Sequence, residues 1–534
     1  MKSLTNPRAA LAALSLALLA TSSIASAKAL RYAGPSPVLT FDPHASTDYM
    51  TAGTVLNVYD PLVGRDQNLD LRPALAVSWE ATAPDVWRLK LREGVKFTGG
   101  QPFTAADAKF SLERANAGGK GMLSQFLVSL KEVRIIDDTT IEIVTKYPDP
   151  LMPRWLAAIG MMSKSWAEEH DSVTMTDVSV SSAKFVVRNA NGTGAFILDN
   201  WDPTSGTIKF KRNAGWWGKA EGNITEATYS PIASGPTRIA ALLSKDVDLV
   251  ISVPLQDAKR IETTSGFHVI ERPELRQMVL LMSPANETAA DTWDKSGAPL
   301  KTNPWANVKV RQAVSIALNR DLLVERIMLG RARTSAIASM PGMDGYQKDM
   351  DVAPAYDVER AKKLLAEAGF PDGFRARLRC TNDRYLNDEA VCRAVGGMLA
   401  RIGIQAEPSP EPWGTFVKDL IALKIDFTLL AAAPNGQTTF DMLYGTWMTR
   451  KPPEGPFNWS RWSNPALDDA VKAMQSEFDS GKRTELTRRA LEITRDQVSG
   501  AFLYQQFVTW GAVSNVETTV RPDNYVVLNA IDFK

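Results

Sequence analysis

The stretch from Tyr59 to Arg114 constrains this chain more than any other: YDPLVGRDQNLDLRPALAVSWEATAPDVWRLKLREGVKFTGGQPFTAADAKFSLER. Tyr59-Asp60-Pro61-Leu62-Val63 is a short apolar segment stopped by a proline. Leu71 to Ala76 leads into Ser78-Trp79-Glu80, and Trp87-Arg88-Leu89-Lys90-Leu91 then alternates apolar and basic residues, the period of a half-buried strand. Gly94 and the Gly99-Gly100 pair mark turns around Val95 and Phe97. Thr104, three residues before Asp107, is a helix start in which a hydroxyl and a carboxylate satisfy free N–H groups; Phe110 and Leu112 lie on the helix that follows.

Further along, Val133 to Ile136 and Thr140 to Val144 read as a hairpin turning at Asp137-Asp138. Thr237 to Leu243 is a helix, Asp246 to Val250 a strand, and a helix starts at Pro254. Val310, Ala313, Val314, Ala317 and Leu318 follow the spacing of a buried helical face. Asp321 is the expected cap of the next helix, which Gly330 ends. Asp357 caps another helix. Phe374 to Arg379 is a strand, Val391 to Ile402 a helix, and Ile404 begins the next strand. Strand and helix alternate in both halves of a 534-residue chain, so at least two α/β lobes are expected.

Composition narrows the function classes. The 61 basic and 60 acidic residues nearly balance, which argues against nucleic acid or an anionic membrane as the main partner. No long apolar run interrupts the interior. The first residues read as a secretion signal: Lys2 and Arg8 are its basic part, Ala9 to Ala20 its apolar part and Ala25-Ser26-Ala27 its cleavage site. Cleavage is expected after Ala27, and no cysteine follows to carry a lipid. His44, His170 and His268 are too far apart for a metal-ligand spacing. No GxSxG elbow, HExxH helix or GxxxxGK loop is present. Neither a catalytic set, a metal nor a cofactor is therefore expected. The acidic residues supply possible carboxylate pairs, but no constellation points to a glycosidase.

The order YDPLV, LxPALAxSWE, LRxGVKF, PFTAxDxxxSLER closely resembles the signature region of the family 5 extracellular solute-binding proteins, the binding subunits of dipeptide-, oligopeptide- and nickel-type ABC importers. Gly192-Thr193-Gly194-Ala195-Phe196, Arg212-Asn213 and Trp216-Trp217-Gly218 are similar to that family's GTGPF … RNxxYWG run, with Ala195 replacing a proline. Asp246 to Val250 resembles its GEVDLV. One departure is Leu281-Met282-Ser283-Pro284, where relatives carry an asparagine after the strand. The resemblance implies a type II, bilobal periplasmic-binding-protein fold of the large cluster. It implies a signal peptide at 1–27, lobe one at 28–57 and 187–280, an extra subdomain at 58–186, lobe two at 281–500 and a return segment at 501–534.

It also implies where a ligand sits. Beyond the entry loop Asp42-Pro43-His44, Thr47, Asp48 and Tyr49 either face the cleft or cap the apolar helix that follows. The loop Cys380 to Asp388 joins a strand end to a helix start, where α/β folds place ligands. Arg384 falls there on the position of a carboxylate-binding arginine, and a guanidinium fork suits a carboxylate; the alternative is a surface arginine. Trp413 either stacks on the ligand or packs the lobe. Relatives that bind free peptides hold the α-ammonium with an aspartate, but Leu430 to Phe440 contains no acid before Asp441. A buried ammonium without a counter-charge is costly. A carboxylate-bearing solute without a free α-amine, or a modified peptide, is expected instead, with Asn435 and Gln437 as neutral contacts. The only two cysteines, Cys380 and Cys392, form either a disulfide across this loop or two buried thiols.

The expected protein is thus a monomeric periplasmic receptor that passes a small solute to ABC permease subunits and makes no bond. The alternatives are a periplasmic hydrolase on a similar frame, which would turn its ligand over, and a sensor or chaperone.

Overall fold

The structure, a computed structural model, describes residues 28–117, 122–178, 183–434, 436–451 and 454–534. The expected signal at 1–27 lies outside them. Two long strands, Phe267–Met282 and Ala501–Val513, form the spine. They run antiparallel from the pair Phe267↔Val513 to the pair Leu280↔Ala501, with the register broken between Pro273 and Gln277. Proline has no N–H to give to a ladder, so a break there is expected. Nearly all of Ala501–Val513 is buried. Buried on both faces, it is largely apolar and aromatic without alternation, interrupted by the buried Gln505, Gln506 and Thr509.

Around this spine the described residues form a twelve-stranded sheet. On one side, Leu249–Val250 pairs with the end of the second spine strand, followed by Ala29–Gly34, Glu226–Pro231, Ile208–Arg212 and Phe196–Trp201. On the other, Phe427–Ala432 pairs with Gln277 to Met282, followed by Arg375–Thr381, which also pairs with Gln405–Glu411. One core gathers Leu30, Tyr32, Phe210, Tyr229 and Ile251 with Trp510 and Leu528. The other gathers Met278, Leu280, Trp305, Phe374 and Val395 with Tyr504. These halves are called lobe one and lobe two below. The change of core follows the break at Pro273–Gln277, earlier than the boundary after 280 that the sequence implies.

A separate antiparallel sheet carries the opening stretch, in the order Ala76–Ala83, Val86–Leu91, Thr140–Thr145, Leu130–Asp137. Helix Ala105–Ala117 packs on it. Its start is held as the sequence predicts: Asp107 Oδ2 accepts the Thr104 N–H at 2.9 Å and its hydroxyl at 2.7 Å. The apolar side of this subdomain is continuous with residues of lobe two, from Leu62 and Leu112 through Trp155 to Phe440 and Trp447. Trp87 stacks on Phe478 with ring centres 6.2 Å apart, and Arg154 pairs with Asp344 at 3.3 Å.

Two local readings change. Asn319, not Asp321, caps the helix at Arg320, its side chain accepting the Leu322 N–H at 2.9 Å. Asp321 lies inside the first turn, where a carboxylate still favours the helix dipole. Of Asp246 to Val250, only Leu249–Val250 is strand. Asp248 takes the Arg31 backbone N–H at 2.9 Å and its guanidinium at 2.7 and 3.1 Å, while its own N–H donates to the Arg31 carbonyl at 2.7 Å.

The entry loop is a buried electrostatic rivet. Arg114 donates to both Asp42 oxygens, at 2.7 and 2.8 Å, with neither side chain more than 2% exposed. Thr176 adds its N–H and hydroxyl to Asp42 Oδ2, at 2.9 and 3.0 Å. Arg114 also donates to His44 Nδ1 at 2.9 Å, which leaves the His44 proton on Nε2, bonded to the Gly160 carbonyl at 2.9 Å. Burial alone would raise the Asp42 pKa, but the bonds and charge of Arg114 outweigh it and hold it low. Burial, with the Arg114 charge, pushes His44 down to about 4. Removing one partner of a buried pair costs about 3–5 kcal/mol. Arg114→Leu is therefore expected to lower the urea midpoint of lobe one by that equivalent. Both pKa values are depressed in the folded state, so the unfolded chain binds more protons. The wild-type stability tied to this cluster is present at neutral pH. It is lost first as His44 is forced to charge between about pH 6.5 and 4, then as Asp42 protonates below about pH 4. Arg114→Leu should flatten that pH dependence.

Candidate functional site

Helix Tyr49–Val55 is short, and Asp48 caps it by accepting the Thr51 N–H at 3.1 Å. Asp48 therefore serves the capping alternative. Tyr49 lies half-buried beside Ser252 and Arg276, and burial raises its phenol pKa. Thr47, just before the helix, faces a cavity of about 360 Å³ between this helix, the extra subdomain and the C-terminal segment. Gly53 is glycine because the Tyr525 ring lies 2.9 Å from where a Cβ would be. Tyr525 and Arg521 close the cavity from the return segment, and Phe126 and Ala157 give it an apolar wall.

Its charged groups differ in how they are satisfied. Arg521 is clamped by Asp523 at 2.6 and 3.1 Å. Asp60 accepts from Trp217 Nε1 at 2.7 Å, Trp216 Nε1 at 3.2 Å and Thr193 Oγ1 at 3.0 Å. The YDPLV and RNxxWWG blocks thus meet on one carboxylate. Burial pushes the Asp60 pKa up to about 6 against those hydrogen bonds. Arg65, at the end of strand Val63–Arg65, is 9% exposed. Its Nη2 donates to the Arg154 carbonyl at 3.0 Å, its Nε has no hydrogen-bond partner, and no carboxylate lies within ion-pair distance among the described residues. Burial lowers its pKa to about 10, with Asp523 opposing the shift.

Lobe two reaches this region through the loop after Phe427–Ala432. Asn435 lies outside the described residues. Gln437 Nε2 donates to Asp523 Oδ2 at 3.2 Å, while its Oε1 is buried without a partner. Gly436 sits against the subdomain, where an added Cβ would lie 1.9 Å from the Trp155 ring. Asp441 accepts the Gly436 N–H at 2.6 Å and so holds the loop.

The Cys380–Asp388 loop stands apart from the cavity. Cys380 and Cys392 form a disulfide with Cα atoms 6.4 Å apart, inside the lobe-two core. Asp388 Oδ2 gathers the Thr381 hydroxyl at 2.6 Å and the Arg384 and Tyr385 N–H groups at 3.1 Å. Arg384 is exposed, its guanidinium 4.9 Å from the centre of the Trp413 ring, and Trp413 packs on Phe416. The structure therefore pairs Arg384 with Trp413 but places neither in the cavity wall. Tyr385 ties the loop to the spine, beneath Arg276 at 6.0 Å. Arg65, which sequence reasoning passed over, is a buried cation that lines the cavity. Nothing in VGRD distinguishes it from a surface arginine. Among the described residues no cluster of three or more His, Cys, Asp or Glu is placed to hold a metal ion, and no helix is long and apolar enough to cross a membrane.

Asp60 gives a test of this geometry. Its protonation should disturb the two indoles that donate to it. Tryptophan emission is expected to change with a midpoint near pH 6, and that component should vanish in Asp60→Asn. His170, 5.0 Å from Trp166, is replaced by glutamine in both proteins to remove its own titration. An Asp60 pKa above the unfolded value also means that its ionisation opposes folding. The stability change tied to it should appear as a gain as pH falls from about 6 to about 4.

Comparison with known proteins places this geometry. The model of the bacterial extracellular solute-binding proteins, family 5, matches residues 70–466. The glutathione-binding protein GsiB of Escherichia coli O157:H7 is 26% identical over 498 residues, 91% of each chain. The periplasmic binding protein DppA of Helicobacter pylori, solved with the peptide STSA, superposes with a TM-score of 0.75 at 21% identity, over 95% of this chain and 98% of that one. AgaA of A. tumefaciens R10, solved with agropinic acid, gives 0.74 at 20% identity, over 95% and 99%. The fold is that of the type II periplasmic binding proteins. With a matching family model over most of its length, the chain belongs to the bacterial extracellular solute-binding proteins of family 5.

Proposed function

We propose that this protein is the periplasmic receptor subunit of an ABC importer, working as a monomer, and that its solute is a peptide-like or otherwise carboxylate-bearing small molecule held where the two lobes meet. The observation that carries this reading is the convergence on one cavity edge of three elements. Helix Tyr49–Val55 comes from lobe one, Arg521 to Tyr525 from the return segment, and Gln437 reaches in from lobe two to Asp523. Lobe two meets the return segment beside this cavity, at Gln437 and Asp523, so a solute that strengthens this contact favours the arrangement in which the lobes are together. A permease that reads that arrangement senses loaded receptor without touching the solute.

The solute class follows from the residues on offer. Amide and hydroxyl groups at Gln437, Thr47 and Thr51, beside arginines, suit amides and carboxylates. The acid nearest the lobe-two loop, Asp441, is engaged with the Gly436 backbone, so a free α-ammonium has no obvious counter-charge in that loop. GsiB is a glutathione-binding protein and the matched DppA structure holds a peptide, and both ligands carry amides and carboxylates. Arg384 over Trp413 forms an exposed rim that a long solute meets last. No observation favours the hydrolase. Mass spectrometry of the small molecules released by denaturing periplasm-purified protein tests this reading. A carboxylated solute with a blocked or absent α-amine is expected; a nucleotide, a metal complex or a simple free dipeptide would overturn the solute class.

Closure itself rests on Gly436. A Cβ there would overlap the buried Trp155 ring, so the loop and the subdomain would have to separate. Gly436→Ala is expected to weaken solute binding by at least about tenfold, which is about 1.4 kcal/mol, with little change in the melting temperature of the solute-free protein. Calorimetric titration of the released solute checks it.

A further inference from the structure

Arg65 is a buried guanidinium whose chemistry the protein leaves unfinished. Three arginines meet at the lobe-one edge of the cleft. Arg154 faces Asp344 at 3.3 Å, and Arg521 is clamped by Asp523 at 2.6 Å. The third, Arg65, is 9% exposed and has no carboxylate within ion-pair distance among the described residues. Two carboxylates thus serve three guanidinium groups. Among the described residues, the one hydrogen bond of Arg65 goes from Nη2 to the Arg154 carbonyl at 3.0 Å, and its buried Nε has no partner. Desolvating a cation and leaving its N–H groups unpaired is costly, and such groups are ordinarily paired or neutralised. Asp523 is the nearest acid, but Arg521 and Gln437 already occupy its oxygens. Arg65 also lines the cavity, as do the apolar side chains of Leu123, Phe126 and Ala157.

We propose that Arg65 is the principal anchor for an anionic group of the solute, a carboxylate entering the cavity beside Thr47, and that an apolar or aromatic portion of the same solute lies on the wall of Leu123, Phe126 and Ala157. This rests on the receptor reading and deepens it. The carboxylate is taken inside lobe one, not primarily at the exposed Arg384. Nη1, which donates to no group among the described residues, is the end of the guanidinium that a carboxylate can reach, and the ion pair forms out of water, where it is strong. Since the cation is unpaired before binding, the site sacrifices stability of the solute-free protein for affinity.

The full mature chain, stripped of solute by denaturation and refolding, tests this by thermal unfolding and calorimetry. The probes are N-acetyl-Ala-Phe and its C-terminal amide, identical but for the charge. Wild type is expected to bind the acid more tightly than the amide. In Arg65→Met the solute-free melting temperature should be equal or higher, because a buried unpaired charge has been removed. Acid affinity should fall by at least about 30-fold, amide affinity should hold, and Arg65→Lys should recover part of the acid preference. A drop of several degrees in the solute-free Arg65→Met protein would show a structural cation and overturn the assignment. So would equal acid and amide binding by wild type, or an acid preference that survives in Arg65→Met; in these two cases binding itself persists and the receptor reading stands. Binding of neither probe to wild type would overturn both the anchor and the blocked-peptide solute class.

Discussion

Two paired strands govern what the rest of this molecule can do. Phe267–Met282 and Ala501–Val513 belong to both cores at once, Trp510 to lobe one and Met278 and Tyr504 to lobe two. Lobes joined by a hydrogen-bonded ribbon can bend or twist about it but cannot drift apart. The irregular step from Pro273 to Gln277 is where the ladder is weakest, and buried side chains take over there. Gln277 Nε2 reaches the Ile337 carbonyl at 2.9 Å, Gln505 Nε2 reaches the Glu274 carbonyl at 2.9 Å, and Gln506 bonds the Glu274 carboxylate. Backbone groups freed by the break are thereby satisfied. Across that step the loop carrying Gly436 and Gln437 meets Trp155 and Asp523.

The signature blocks make physical sense as joints between distant segments. Asp60 binds the two indoles from the Trp216-Trp217 block, and Asp42 binds Arg114 at the end of the PFTAxDxxxSLER helix. Each joint needs a specific donor and acceptor type, because a buried polar group without its partner is expensive. Both lie beside the ligand region without needing to touch a ligand. They fix the walls against which helix Tyr49–Val55 is set. Specificity is then left to residues outside the blocks.

That division explains what the sequence revealed. Periodicity exposed the hairpin at Asp137-Asp138, the buried face of Val308–Ile316 and the capped helix after Asp357, because a strand or helix writes its own spacing. Local chemistry was harder to read. Asn319 and Asp321 are both good caps, and only the path of the chain selects Asn319. Asp248 reads as strand, and only the fold shows that Arg31, far away in sequence, takes its carboxylate. Arg384 looked like the anchor because its loop joins a strand to a helix, yet it lies exposed on Trp413. The burial of Arg65 was invisible. Arg154 and the return segment are brought to this side chain only by the tertiary fold.

The central claim is that a solute held at this cavity draws the two lobes together about the paired strands. Small-angle X-ray scattering from the refolded, solute-free protein, before and after saturation with its own released solute, measures that motion directly. The account predicts a smaller radius of gyration with solute, reached at the stoichiometry of one solute per chain. Identical scattering at saturating solute, with binding confirmed in the same sample, would contradict it.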